Sequence, residues 1–505
     1  MEMHTMIKPA TAEPMEDAPT IGTFDNSYAR LPEGFHAAAQ PDRAERPRLI
    51  RFNDALAAEL GLDVAGFDDD AKAAIFSGNV VPQRAEPIAL AYAGHQFGNF
   101  VPQLGDGRAI LLGEVVDRNG RRRDIQLKGA GPTRFSRNGD GRAAIGPVLR
   151  EYMVSEAMAA LGIPTTRSLA AVTTGNPVYR ETRLPGAVVT RVAASHIRVG
   201  TFQFFAARED LQSLRLLADH VIARHYPEAA GAANPTLAMF EAIVAAQADL
   251  IARWMLVGFI HGVMNTDNMA VSGETIDFGP CAFLDEFDPA KVFSSIDRQG
   301  RYAFSNQPNI AVWNLARLAE TLLPFFDEDA DRAVAIATEA LQRFMPLHKE
   351  ALMRGMRRKL GLTQARDEDK PLVRGLFETM ARAGVDFTLT FRALTEDART
   401  ADASAATPQS EPVDEWIRIW RARRDAENVA PAQCAAIMDA SNPRFIPRNH
   451  RVEEVIAAAV ERDDFGPFHE MLAVVTRPFD HQPGMERYAE APLPEQRVLQ
   501  TFCGT

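Results

Sequence analysis

The stretch HGVMNTDNMAVSGETIDFGP, residues 261–280, contains the most specific spacing of polar residues in this chain. It places His261 seven residues before Asn268, and Asp277 follows nine residues later at the start of an Asp-Phe-Gly triplet. An amide oxygen and a carboxylate are hard ligands of the kind that Mg²⁺ takes from proteins, together with phosphate oxygens and water. The spacing therefore predicts a divalent-metal site at Asn268 and Asp277, with a helix cap and a turn as the alternative roles of the two residues.

The same spacing occurs in the catalytic loop of protein kinases, H-R-D-x-x-x-x-N, which is followed by a D-F-G triplet. In that loop the Asp two residues after the His accepts the hydroxyl proton. This chain has Val263 there, and an apolar side chain cannot accept a proton. Asp267 is the nearby carboxylate able to replace it, while spacing alone equally allows Asp267 to cap a loop. The pattern indicates an inactive kinase relative or different chemistry performed with kinase residues.

The order of the expected elements is that of the two kinase lobes. Between residues 88 and 128, short apolar runs alternate with Asn-Gly and Asp-Gly breaks, which predicts antiparallel hairpins. A helix is expected over 147–164, with Pro147 at its first position, and strands return over 165–200. The helical period dominates afterwards, beginning with an apolar stripe over 236–260. We predict an α+β, protein-kinase-like two-lobed fold with a sheet-rich N-lobe and a helical C-lobe.

Composition suggests three segments. We expect a loose N-terminal arm over residues 1–30, an N-lobe over 31–200, and a helical C-lobe with a C-terminal extension over 201–505. Within the last segment, the stretch 398–413 is the best candidate for a mobile linker because it is rich in Ala, Ser and Pro. Further helices are expected over 310–359, 371–394, 414–424 and 450–461.

Charge and cysteine content exclude several classes of protein. The net charge of -12 over 505 residues argues against a general nucleic-acid binder, which needs clustered Lys and Arg. The three cysteines cannot form a disulfide framework. Neither a signal peptide nor a transit pattern is visible, and the apolar run over 250–263 is too short to span a bilayer. We therefore expect a soluble, cytoplasmic monomer without a membrane or nucleic-acid partner.

A glycine-rich loop at residues 104–108 is a candidate for phosphate binding. Gly105 and Gly107 would let backbone N–H groups approach a phosphate, and Arg108 would add positive charge. An ordinary Asp-Gly hairpin turn is the alternative, and the spacing by itself favours it.

Lys128 ends a predicted strand and resembles the strand lysine of kinases, which contacts phosphate and pairs with a helix Glu. The following helix offers Glu151 and Glu156, which are five residues apart, or about 140° around a helix. Only one of them can face the lysine, and spacing does not choose between them. Cationic residues recur nearby and could together hold a leaving pyrophosphate: Arg134, Arg137, Arg142, Arg191 and Arg198.

Several long motifs together resemble the selenoprotein O family, the protein adenylyltransferase pseudokinases also called YdiU. They are FDNSYARLP (25–33), LAYAGHQFGNFVPQLGDGRAILLGEV, DIQLKGAGPTRFSRNGDGRA, LREYMVSEAMAALGIPTTRSLA, HGVMNTDNM, DFGP and NPRFIPRNHRVEEVI (442–456). The resemblance covers nearly the whole chain. It implies a kinase-like fold that binds ATP in a flipped orientation, transfers AMP to Ser, Thr or Tyr hydroxyls of proteins, and releases pyrophosphate with Mg²⁺ or Mn²⁺.

The resemblance also implies roles for individual residues. Asp267 would accept the hydroxyl proton, Asn268 and Asp277 would hold the metal, and Lys128 would contact phosphate and pair with Glu151. The two sides of the nucleotide site would be formed by Gly105, Gly107 and Arg108, and by Asp140, Gly141, Arg191 and Arg198. An ordinary kinase that transfers the γ-phosphoryl group and an inactive nucleotide-binding scaffold are the alternatives.

The cysteines depart from the family pattern in one respect. Cys503 stands near the C-terminus, where eukaryotic members carry selenocysteine. In some bacterial members such a cysteine pairs with another just after the Asp-Phe-Gly segment, but this chain has Ser294 and Ser295 in that region and no Cys. Cys281, slightly earlier, is the cysteine next to the predicted site.

Overall fold

The computed structural model describes residues 18–399 and 411–502. Its strands are β1 (His36–Ala38), β2 (Arg48–Phe52), β3 (Ile88–Leu90), β4 (Gly94–Gln96), β5 (Asn99–Val101), β6 (Ala109–Val116), β7 (Arg122–Lys128), β8 (Ala143–Ala144), β9 (Arg167–Tyr179), β10 (Arg183–Ala193), β11 (Phe259–Ile260) and β12 (Ala282–Phe283). Its helices are α1 (Asp54–Leu60), α2 (Asp69–Ser77), α3 (Ile145–Ala160), α4 (Val199–Ala206), α5 (Leu211–His225), α6 (Pro235–Leu256), α7 (Gln307–Phe326), α8 (Ala330–Gln342), α9 (Phe344–Lys359), α10 (Asp369–Ala383), α11 (Phe387–Arg399), α12 (Glu411–Asp425), α13 (Pro431–Asp439), α14 (Asn449–Arg462) and α15 (Gly466–Val475).

An antiparallel sheet forms most of the first part of this mixed α/β structure. Its strand order is β1-β3-β6-β7-β10-β9-β2, with β8 paired to β10. Lys128 closes the central strand β7, with Ala109 of β6 on one side and Val189 of β10 on the other. The expected hairpins are therefore present. The strands expected over 165–200 are present as β9 and β10, which are joined by a turn at residues 180–182.

Helix α3 lies on this sheet and is buried along most of its length. It begins at Ile145, so Pro147 is its third residue, still in the first turn, where a missing N–H breaks no helical hydrogen bond. The C-terminal helices α14 and α15 cover its other side, with the ring centroids of Tyr152 and Phe468 5.7 Å apart. The end of the chain thus returns to the sheet.

Several elements were not expected from the pattern. Helices α1 and α2 lie between the first strands, and their N-caps Asn53 and Asp68 each accept a backbone hydrogen bond from the first turn. Helices α13 and α15 were also missed. The expected linker at 398–413 falls mostly outside the described residues, and its ends belong to α11 and α12.

The N-terminal segment differs from the expected loose arm over residues 18–30. Ile21, Phe24 and Tyr28 are buried in the core, and Phe24 forms a bridge to Val115 of β6. Burial of three large apolar side chains holds this part against the sheet. The preceding residues of the expected arm lie outside the described part.

Helix α6 is the centre of the helical second part. Among the described residues it is the one helix long and apolar enough to cross a membrane, and 56% of its 18-residue window is buried inside the protein. Phe240, Ile243 and Ile251 belong to the main hydrophobic core, which identifies the buried side as a packing face. The helix ends at Leu256, earlier than expected, and the short strand β11 then leads to His261.

Lys359, at the end of α9, is buried without an ion pair to any carboxylate in the described ranges. Its Nζ lies 3.9 Å from the ring centre of Phe391. Burial, with a smaller contribution from the charge of Arg392, lowers the pKa of Lys359 to about 7.

We predict that Lys359→Met flattens the pH dependence of stability between about pH 7 and pH 10. In that window the unfolded chain keeps the proton of Lys359 and the folded chain has lost it. The free energy of unfolding therefore rises with pH by up to about 1.4 kcal/mol per pH unit from this group. Urea denaturation of both proteins across the window measures the difference, and parallel profiles would contradict the assigned pKa.

Candidate active site

A cavity of about 580 Å³ lies between the sheet and the segment 261–280. Its walls come from the loop 105–108, the turn 135–142, the strand residues Lys128 and Arg191, and the segment itself. Most of the expected site residues line it: Gly105, Gly107, Arg108, Lys128, Asp140, Gly141, Arg191, Arg198, Asp267, Asn268 and Asp277. Residues distant in sequence thus meet around one space.

A network of buried charges forms the back of the cavity. The Nζ of Lys128 lies 2.6 Å from Oε2 of Glu151 and 2.8 Å from Oδ1 of Asp277. Arg191 lies on the neighbouring strand β10, and its guanidinium contacts the same two carboxylates. Two cations and two carboxylates are therefore interlocked.

Arg198 adds a third cation from the loop before α4. Its Nη1 donates to Oδ2 of Asp277 at 2.9 Å and to the main-chain oxygen of Asp267 at 2.7 Å. Its Nη2 lies 3.5 Å from buried Asp106, and its guanidinium stacks 4.6 Å from the ring centre of Tyr92. Three cations thus face three carboxylates.

The charges of this network set the ionisation of its acids. Burial opposes ionisation of Asp277, but Arg191, Lys128 and Arg198 outweigh it and hold the pKa of Asp277 well below its usual range. Burial is outweighed in the same way at Glu151, whose pKa is also lowered. Both carboxylates are ionised at neutral pH.

The structure distinguishes the two glutamates of α3. Glu151 faces Lys128, whereas Glu156 accepts hydrogen bonds from Arg167 at 2.8 Å and from Asn53 at 2.9 Å on another side of the helix. The angular separation predicted that only one could face the lysine, and the packing of α3 decides which.

His261 supports the segment from within the core. It is fully buried, its Nε2 contacts the main-chain oxygen of Ile276 at 2.8 Å, and its ring stacks on Trp254. Asp277 has a φ of +65°, a left-handed conformation that is uncommon for residues other than glycine. The tie between the two ends of the segment and this backbone conformation together place the carboxylate of Asp277 beside the cations.

Asp267 lies in a short 3₁₀ turn formed by residues 266–268. Its Oδ2 accepts a hydrogen bond from Gln96 at 3.2 Å, while its buried Oδ1 has no hydrogen-bond partner among the described residues. Burial raises the pKa of Asp267 to about 6, and the charge of Asp277 contributes in the same direction. A carboxylate with this pKa and a vacant oxygen can accept a proton near neutral pH.

The oxygen donors at the expected metal site are compatible with a hard cation. The amide nitrogen of Asn268 donates to the main-chain oxygen of Val263 at 3.0 Å, so its oxygen is the atom available to a ligand. With the carboxylate of Asp277 it would supply the two protein oxygens that Mg²⁺ commonly takes beside phosphates and water. No cluster of three or more His, Cys, Asp or Glu suited to a metal occurs in the described ranges.

The glycine loop is packed too closely for larger residues. A Cβ on Gly105, which has a φ of +75°, would lie 2.3 Å from Cγ of Phe135, and one on Gly107 would lie 2.9 Å from the oxygen of that residue. The intervening Asp106 is buried and accepts a hydrogen bond from Gln126 at 3.0 Å. Close packing therefore requires glycine here, beyond the turn geometry that the sequence suggested.

The opposite wall is built by the turn around Asp140 and Gly141. Arg180 donates to Asp140 at 2.9 Å, and a Cβ on Gly141 would clash with Gly131 at 2.1 Å. Arg137 and Arg142 also line the cavity, but Arg134 does not.

Several residues that line the cavity were not predicted from the sequence, among them Tyr92, Gln96, Asp106 and Arg180. No spacing rule pointed to them. Each reaches the cavity through tertiary packing of a strand end or loop, so only the fold reveals them.

The two described cysteines, Cys281 and Cys434, do not line the cavity. Cys281 is buried, with its Sγ 3.5 Å from the main-chain oxygen of Phe278, and Cys434 is buried in the helical part. Cys503 lies outside the described residues. The chain just before it is close to the site, since Thr501 pairs with Ser294 and donates to the main-chain oxygen of Pro280 at 2.5 Å.

A cavity lined by arginines and a lysine, with ionised carboxylates at its base, has the charged groups that suit a phosphate-bearing ligand. The chain belongs to the SelO family: the family model described as "Protein adenylyltransferase SelO" matches residues 21–476. The family and the names of its relatives indicate a nucleotidyltransferase.

Curated relatives match along almost their whole length, and each is named "Protein nucleotidyltransferase YdiU". The protein of Bradyrhizobium sp. (strain ORS 278) is 62% identical over 485 residues, which are 95% of this chain and 99% of the relative. That of Rhizobium rhizogenes is 61% identical over 97% of this chain and 98% of its own length. That of Rhizobium meliloti is 61% identical over 96% and 100%.

We predict that Glu151→Gln lowers the free energy of unfolding by about 3 kcal/mol, because it leaves Lys128 and Arg191 buried with one carboxylate fewer. Urea denaturation at neutral pH measures the loss. Glu461→Gln is the matched control, since that side chain is 67% exposed and its replacement is expected to leave stability unchanged. Equal stability of the Glu151 variant and the wild type would contradict the importance of the network.

Proposed function

We propose that this chain is a protein adenylyltransferase with a kinase-like two-lobed fold. It transfers AMP from ATP to Ser, Thr or Tyr hydroxyls of proteins and releases pyrophosphate. The observation that carries the proposal is the position of Asp267, a buried residue whose carboxyl group has a raised pKa. Its main-chain oxygen accepts a hydrogen bond from the same Nη1 of Arg198 that binds the carboxylate of Asp277. The kinase position for the base holds Val263, which lines the same cavity. The names of the family and its relatives support transfer of a nucleotidyl group.

The distribution of charge supports a flipped nucleotide. Lys128, Arg191 and Arg198 lie at the back of the cavity, where they would offset the charge that grows on a leaving pyrophosphate. The α-phosphate would then lie toward Asp267, within reach of an acceptor hydroxyl. Gly105, Gly107 and Arg108 on one wall, with Asp140 and Gly141 on the other, would enclose the remainder of the nucleotide.

The chemistry at Asp267 is a single proton transfer. The acceptor oxygen attacks the α-phosphorus, the bond from that phosphorus to the bridging oxygen breaks, and pyrophosphate leaves with the electron pair. The hydroxyl proton passes to the carboxylate of Asp267. Asn268 and Asp277 would hold Mg²⁺ or Mn²⁺, which supplies positive charge to the phosphate oxygens when bound. The protein contributes mainly position and fixed charge.

The first test is the position of the label that reaches an acceptor. The purified chain is incubated with casein and Mg²⁺, in parallel with ATP labelled at the α or at the γ phosphate. We expect label on protein only from α-labelled ATP, and Asp277→Ala abolishes it because a metal ligand is lost. Label only from γ-labelled ATP would establish a kinase, and binding without transfer of either label would establish a silent scaffold.

The second test is the pH dependence of AMP transfer. Asp267 accepts a proton only when ionised, so kcat/KM of the wild type should rise with pH through about 6 and then level. Asp267→Asn removes the base, and we expect kcat to fall by about 10²-fold and the rise near pH 6 to disappear. Binding of ATP, followed by calorimetry, should remain. Loss of ATP binding in this variant would make Asp267 a ligand instead of a base.

The acceptor is expected to be a protein, and the chain is expected to act as a monomer in the cytoplasm. Both stay predictions. Size-exclusion chromatography with light scattering measures the second one directly.

A further inference from the structure

The hairpin formed by β4 and β5 has an unusual turn. Its two turn residues, Phe97 and Gly98, have φ values of +51° and +85°. Turns with two positive φ values are usually Asn-Gly, because a bulky side chain is strained in the first position. An aromatic residue is nevertheless held there, with its ring lining the cavity. Strain beside a candidate active site raises the question of what the hairpin binds.

Three hydrogen bonds fasten the hairpin to the turn that carries Asp267. Gln96 donates to Oδ2 of Asp267 at 3.2 Å, and the backbone N–H of Phe97 donates to Asn265 at 3.0 Å. The backbone N–H of His95 donates to Thr266 at 2.7 Å. An acceptor hydroxyl that reaches Asp267 therefore brings its flanking residues against this hairpin.

Aromatic rings and arginines surround the hairpin, and we name this surface the hairpin patch. It consists of His95, Phe97, Phe100, Arg301, Trp313 and Arg317. The guanidinium carbons of Arg301 and Arg317 lie 4.6 Å and 5.0 Å from the ring centre of Trp313, whose edge also meets His95. Phe100 is 41% exposed. The arginines are thus held in place by stacking on aromatic rings.

The charge of the hairpin patch is poorly balanced within the chain. Arg301 forms no ion pair with a carboxylate of the described residues, and its Nε is buried without a hydrogen-bond partner there. Arg317 pairs with Glu320, whose side chain is 53% exposed. The neighbouring Asp297 is engaged by the backbone N–H groups of residues 301 and 302. Arg301 therefore keeps an unbalanced positive charge beside the hairpin turn, where a Cβ on Gly98 would lie 3.7 Å from its guanidinium carbon. The chain as a whole has a net charge of -12.

We propose that the hairpin patch binds the acceptor segment of the protein substrate, and that this segment carries Asp or Glu beside the hydroxyl that is modified. Carboxylates match fixed guanidinium groups, which bind them in a bidentate manner. Phe97 and the exposed Ile296, both at the cavity wall, would contact an apolar residue of the same segment. The inference rests on the proposed function and names the substrate class of that site.

Competition between peptides tests the proposal. Casein is labelled from α-labelled ATP by the purified chain in the presence of one of three peptide pools. All three pools contain the same peptide sequence with Ser, Thr or Tyr at its centre. The central residue has Glu on both sides in the first pool, Gln in the second and Lys in the third. We expect the Glu pool to inhibit labelling at a concentration about tenfold lower than the Lys pool. The difference should shrink as salt is added.

Variants of the hairpin patch connect this preference to its arginines. For each pool we measure the concentration that inhibits labelling by half. In Arg301→Gln and in Arg317→Gln, we expect the ratio of this concentration for the Lys pool to that for the Glu pool to fall toward one. KM for ATP should stay unchanged. Arg332→Gln is the control, because Arg332 is exposed and lies after the end of α7. That end is roughly 20 Å along the helix axis from Trp313. This variant should keep the ratio.

The possible outcomes separate the two hypotheses. If casein is labelled but the three pools inhibit equally, or if both arginine variants keep the ratio, the hairpin patch does not select acidic acceptors and the inference is wrong. If casein receives no label from α-labelled ATP, the proposed function fails and the inference fails with it. Two single variants are used so that a folding defect in one, visible as a lower melting temperature, does not decide the result.

Discussion

The carboxylate of Asp277 is the point on which the site depends. It is bound by Lys128 from β7, by Arg191 from β10 and by Arg198 from the loop before α4. These contacts join the central strands of the sheet to the segment that begins at His261. Burial would make an isolated carboxylate costly, and the three cations offset that cost. The sheet and the helical part are thus held in one relative position by a charge network and not by apolar packing alone.

The balance of charges in this network bears on substrate binding. Three cations face Glu151, Asp277 and Asp106, so resident carboxyl groups already occupy these cations before any substrate binds. Anionic phosphates must therefore share these cations with the resident carboxylates. A divalent metal at Asn268 and Asp277 would add positive charge for the phosphates, because the three cations are already paired with carboxylates. In the proposed function, the groups that would bind phosphate are the same groups that join the sheet to the segment 261–280.

Two peripheral parts of the chain support the centre. Helices α14 and α15 cover α3 and so fix the direction of Glu151, far from them in sequence. The β4–β5 hairpin does the same for Asp267, through Gln96 and the backbone of residues 95 and 97. The proposed base and the proposed acceptor surface therefore form one continuous structure, and changes at the hairpin are expected to influence which proteins reach the base.

The residue pattern alone predicted a sheet-rich first part, a helical second part, the family and the residues with unusual local spacing, but it did not predict helices α1, α2, α13 and α15. The spacing of His261, Asn268 and Asp277 and the glycines near 105 are visible because local spacing reflects local geometry. Spacing could not separate Glu151 from Glu156, since both directions satisfy the helical period. The family resemblance implied Glu151, and the packing of α3 places that residue beside Lys128. Tyr92, Gln96, Asp106 and Arg180 were invisible for the same reason. The raised pKa of Asp267 and the hairpin patch also required the tertiary structure, because burial and proximity between distant segments leave no trace in residue spacing.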